Sequence, residues 1–135
     1  MMSTRRGAAA LATVLLAVLP LAGCGSNDTP LCSSIDELSA SIDQLGVIQL
    51  GENGRDQLES QLVDVRADLA QVRTDAQQQY GDQVAAVTAA ADLVRERYQG
   101  AKAEPSASTL QPLRTAITNL GTELSALQDA VAGTC

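Results

Sequence analysis

Apolar residues recur along most of this chain every three or four positions, and that repeat restricts it to helices packed side by side. Leu58, Leu62, Val65, Leu69, Val72, Ala76, Tyr80, Val84, Val87, Ala91, Val94 and Tyr98 form one unbroken series. Its mean step is about 3.6 residues, the period of a straight α-helix. A second series, Leu110, Leu113, Ile117, Leu120, Leu124, Leu127 and Val131, alternates steps of three and four like a coiled-coil seam. Ile35, Leu38, Ile42 and Leu45 make a shorter third stripe. Helical spacing in all three series makes the expected fold all-α.

Local signals suggest where these helices begin and end. Ser34-Ile35-Asp36-Glu37 reads as a capping box with Ser34 as N-cap, and Gly46 fits a C′ stop, so a first helix is expected over about 34–45. Residues 46–54 read as a loop whose Val47, Ile48 and Leu50 lie against the bundle. The central series allows two models. It keeps phase throughout, with Glu52, Asp56 and Glu59 near its start and Arg95, Arg97 and Lys102 near its end, as one helix dipole prefers. Gly81 costs only about 1 kcal/mol inside a helix. One helix over about 55–103, on the order of 70 Å long, is the favoured expectation. It would pack with the shorter first helix and the last as an antiparallel coiled-coil-like bundle. The alternative is an up-down four-helix bundle with a turn at Gly81-Asp82 and Asp82 as N-cap. Glu104-Pro105-Ser106-Ala107-Ser108 is expected to turn the chain, because a residue before proline resists the α conformation. Ser108 or Thr109 is then the expected cap of the last helix, with Pro112 in its first turn.

The N-terminal stretch has the order of an export signal. Arg5 and Arg6 precede an apolar run from Ala8 to Leu19, Pro20 breaks it, and small residues follow. As a helix the run would span about 18 Å against a hydrocarbon core of roughly 30 Å, too short for an ordinary transmembrane span. Leu21-Ala22-Gly23-Cys24 resembles the lipobox of bacterial lipoproteins. That resemblance, which covers residues 1–24, implies a diacylglyceryl group on the Cys24 thiol and cleavage just before it. It also implies a palmitate-type acyl anchor holding the chain on the extracytoplasmic face of the cell membrane. Lipid contributes about 0.8 kcal/mol per buried CH₂, and stable anchoring needs two chains or more. The other reading is an ordinary secretory signal in which Cys24 is incidental. The expected organisation is a signal peptide at 1–23, an anchor and tether at 24–31 and a helical domain at 32–135. Over its whole length the chain also resembles small exported helical proteins with a cysteine near each end of the mature chain, a likeness that implies no activity.

With Cys24 given to lipid, Cys32 and Cys135 remain in an oxidising compartment, where a disulfide between them is expected. Two free thiols are the alternative. Both fold models can accommodate the bond.

Charge and composition narrow the function. All sixteen acidic residues follow residue 23, whereas Arg5 and Arg6 precede it, leaving sixteen acids against seven bases and a mature side-chain charge of −9. So acidic a domain argues against nucleic acid and anionic lipid head-groups as partners. Tyr80 and Tyr98 are the only aromatic residues, and a core of Leu, Val, Ile and Ala suits thin helix packing better than an aromatic-lined pocket. The chain has no histidine, which excludes a Ser-His-Asp triad and a His metal site. Asp64 with Asp68, and Asp92 with Glu96, stand one helical turn apart, and a solvated acidic face is the expected reading. No catalytic residue, metal ligand or cofactor site is therefore expected. The chain reads as a non-enzymatic envelope lipoprotein acting through protein contacts, as scaffold or accessory subunit. The alternative is a carrier holding an apolar ligand within its bundle.

Overall fold

The computed structural model describes residues 29–50 and 54–135. Over those residues the chain forms α1 (Pro30–Val47), α2 (Gly54–Ala76), α3 (Gly81–Ala103) and α4 (Ala107–Val131). There is no strand among the described residues. The all-α expectation holds, and of its two versions the four-helix one is present.

Short links make sequence neighbours antiparallel. Two non-sequential pairings fix the remaining side: Cys32 bonds Cys135, and Gln128 donates to Ser39 at 3.3 Å, so α4 runs back along α1. Each helix therefore packs on two others, α3 most extensively on α4 and α1 on α2, with thinner seams between α1 and α4 and between α2 and α3. The diagonal pairs, α1 with α3 and α2 with α4, keep their Cα atoms more than 8 Å apart among the described residues. One end of the bundle gathers the start of α1, the α2–α3 turn and the end of α4. The other gathers the α1–α2 and α3–α4 links.

The favoured single helix over 55–103 is overturned: it stops at Ala76 and restarts at Gly81. Gln77 (φ 55°) and Tyr80 (φ 58°) take left-handed backbone, so the reversal is made without help from glycine. Gly81 and Asp82 are not the turn. Tyr80 precedes the first turn of α3, its carbonyl accepting the Val84 N–H at 2.9 Å, and Asp82 lies inside that turn. Four linking residues are close to one helical turn of 3.6, so the apolar series crosses the break without losing phase. The dipole pattern is also complete in each half. Asp56 and Arg73 flank α2, while Asp82 and Lys102 flank α3.

Smaller boundaries move too. The first helix begins at Pro30, with Thr29 as N-cap accepting the Cys32 N–H. Proline suits this first position because its missing N–H would be unpaired anyway. Ser34, expected as the cap, is instead buried within α1 and donates to the Leu31 carbonyl at 3.0 Å. Ile48 and Leu50 pack on the core as expected, but Val47 is 76% exposed. Ser106, not Ser108 or Thr109, caps α4, with Thr109 returning a bond to its backbone N–H. Pro112 thus falls in the second turn, where both it and Ser108, whose carbonyl it cannot pair, are exposed residues.

The core is the union of the expected stripes. Leu38, Val72, Val87, Val94, Leu120 and Leu127 are wholly buried. Burying one such side chain contributes about 1.5–3 kcal/mol, which gives these layers their hold on all four helices. Gly54 opens α2 because a β-carbon there would collide with the Gln49 carbonyl. No helix among the described residues is long and apolar enough to cross a membrane.

Candidate functional site

The lipobox residues Leu21, Ala22, Gly23 and Cys24 lie outside the described residues. The other two predicted positions come together. Cys32 and Cys135 form a disulfide with Cα atoms 5.7 Å apart, closing 103 residues of chain. Cys32 is buried, and the Thr29 hydroxyl donates to its sulfur. At the same end the Tyr80 hydroxyl pairs with the Thr134 hydroxyl at 2.7 Å, tying the α2–α3 turn to the chain terminus. This end of the bundle is stapled shut.

The opposite end is built differently, for a reason visible in the helix lengths. With 18 residues against 25, α1 is about 10 Å shorter than α4, which it flanks. Beyond Val47 the chain leaves the helix with extended backbone at Ile48 and stays irregular to Leu50, a thinner cover than a helix. Under Leu50 lies a cavity of about 360 Å³. Leu58, Tyr98, Ala101 and Leu113 form its buried floor, and Arg55, Lys102 and Pro105 form its exposed rim. Although acids outnumber bases in the chain, the lining contributed by the described residues contains two cations, Arg55 and Lys102, and no carboxylate. A wider trough of about 740 Å³ between α1 and α4 is more open to solvent and takes both Asp43 and Arg114 into its walls.

The rim is held by a small polar cluster that spans the α2–α3 seam. Lys102 Nζ donates to Glu59 Oε2 at 2.9 Å, and the Tyr98 hydroxyl donates to the same oxygen at 3.0 Å. The ammonium also lies 5.8 Å from the centre of the Tyr98 ring. The Lys102 hydrogen bond, aided by that from Tyr98, holds the Glu59 carboxyl below its ordinary range. Desolvation, with Glu59 as second cause, pushes the Tyr98 phenol up, and the Glu59 hydrogen bond raises Lys102. A lysine kept protonated and a phenol kept neutral are poor nucleophiles and poor bases at neutral pH. The cluster acts by charge and position: it fixes a cation at the cavity mouth.

The paired acids stay apart from this site. Asp64, Asp92 and Glu96 are exposed, and half-buried Asp68 accepts a hydrogen bond from Ser41 across the α1–α2 seam. No three Cys, Asp or Glu side chains among the described residues are grouped closely enough to hold a metal ion. Arg55, Ala101 and Lys102 were not legible as site residues. In one continuous helix Glu59 and Lys102 would stand about 65 Å apart, and only the reversal at 77–80 joins them. In comparisons with known proteins, the chain matches no family model, no curated protein and no solved structure.

Proposed function

We propose that this chain is a lipid-anchored, non-enzymatic protein of the bacterial cell envelope that works through contacts made by its helical bundle. The observation that carries the reading is Leu21-Ala22-Gly23-Cys24, placed directly after an apolar run that is led by Arg5 and Arg6 and broken by Pro20. Its geometry is simple. Five residues separate Cys24 from Pro30, and the six steps between them reach about 20 Å when extended, so the stapled end stands next to the bilayer. The cavity end then faces away, a further 35 Å or so out along α2. The mature charge of −9 keeps the domain off anionic head-groups, leaving attachment to the acyl chains. The Cys32–Cys135 bond suits an oxidising compartment outside the cytoplasm.

The test is Cys24→Ala in the whole chain expressed in a bacterium. The variant should accumulate as unprocessed precursor without acyl label, whereas normal maturation would end the proposal. Crosslinking in membranes followed by pull-down should recover a defined protein partner.

The cavity favours a second reading, a carrier of an apolar ligand. At about 360 Å³ it sits at the lower end of ligand pockets, which run from about 300 to 1,000 Å³. Organic extraction of the purified protein and mass spectrometry should then return one lipid per chain beyond the Cys24 anchor.

A further inference from the structure

We infer that the cavity between α2, α3 and α4 binds one single-chain aliphatic carboxylate, tail inward, with its head-group at Arg55 and Lys102. The inference rests on the carrier reading and names its site and ligand class. Three observations bear on it. The floor is apolar and already buried, so an alkyl tail entering there leaves water without displacing any protein hydrogen bond. A methylene fills about the space of a water, about 30 Å³, so some 360 Å³ admits at most roughly a dozen carbons in one chain. Two acyl chains do not fit.

The mouth selects the head-group. Lys102 is held there by Glu59 and Tyr98, while Arg55 has no acidic partner among the described residues. An arginine fork accepts a carboxylate through two parallel hydrogen bonds. Gly54, the first residue of α2, also lines the cavity, and the positive end of that helix dipole adds to the two side chains. A cationic amphiphile gains none of this.

The experiment uses the full chain in bacterial membranes with a photoreactive diazirine analogue of dodecanoate, mapped by mass spectrometry. The expected result is saturable label confined to Leu50, residues 54–58 and residues 98–113, and competed by unlabelled dodecanoate. Ala101→Leu, which fills the floor, should lower that label at least fivefold. Arg55→Glu, an exposed change that leaves the core intact, should lower it at least fivefold, yet leave labelling by the neutral dodecanol analogue within twofold. Should Ala101→Leu lose its helical circular dichroism, Arg55→Glu still decides. Label spread over all four helices, or unmoved by Arg55→Glu, overturns the inference. Lipid recovered by extraction without label at this end would also overturn it while leaving the carrier reading in place. Processing at Cys24 is read separately, so the anchor and the site fail independently.

Discussion

Removing the bond between Cys32 and Cys135 should destabilise the bundle more than any other change that spares the core. The loop it closes is 103 residues long. In the chain-entropy model, releasing a loop of that length returns about 16 cal/mol/K to the unfolded chain, or about 4.7 kcal/mol at 25 °C. Unfolding entropy near 2.1 cal/mol/K per residue gives a bundle of this size roughly 0.2 kcal/mol/K, so the full effect lowers the melting point by about 20 °C. Compact unfolded chains reduce it, and a fall of about 10–20 °C is expected. Alanine is the right replacement, because serine would bury a hydroxyl at Cys32, which is 2% exposed. Thermal unfolding of Cys32→Ala/Cys135→Ala, followed by far-ultraviolet circular dichroism and set beside the parent with and without reductant, provides the readout. A fall below about 5 °C with both thiols absent would refute the reasoning, since an entropic staple of this span cannot be so weak.

Four further results follow from the turn, the rim and the core. Gly81→Ala should stabilise by up to about 1 kcal/mol, because Gly81 has ordinary helical backbone with open space around it. Tyr80→Gly should relieve left-handed strain yet lose the Thr134 bond, so its denaturant midpoint should move less than that of Tyr80→Pro, whose ring cannot adopt φ 58°. Carbon-detected NMR should place the Glu59 titration below the usual value of 4.5, moving up in Lys102→Met. The sign is that of a depressed carboxyl: the contribution of the contact is complete above the ordinary Glu range and disappears as pH falls through the lowered value. Leu120→Ala, at a wholly buried position on α4, should cost about 2–5 kcal/mol by urea unfolding.

Much of this architecture was written in apolar spacing. The residues of the three stripes are, with few exceptions, the residues that the folded bundle buries, and the 3-4 seam from Leu113 to Val131 is the inner face of α4. The disulfide was legible as well, from two cysteines at opposite ends of the mature domain. The break in the middle was hidden for two physical reasons. A four-residue link preserves a 3.6-residue phase, and its left-handed positions are filled by Gln77 and Tyr80 rather than by glycine or asparagine. Arg73 and Asp82 were the available clue, a basic residue closing one helix and an acidic residue opening the next. The cavity lay beyond reach of local patterns altogether. It depends on α1 being shorter than its neighbours and on bringing Glu59, Tyr98 and Lys102 together across a reversal.

The proposed anchor orients everything else, placing the stapled end at the bilayer and the cavity away from it. The most direct test is the mass of the N-terminal peptide from protein extracted out of bacterial membranes. The account predicts a peptide that begins at Cys24 and carries a diacylglyceryl group on its sulfur. A mature chain beginning at any other residue, or at an unmodified Cys24, would contradict it.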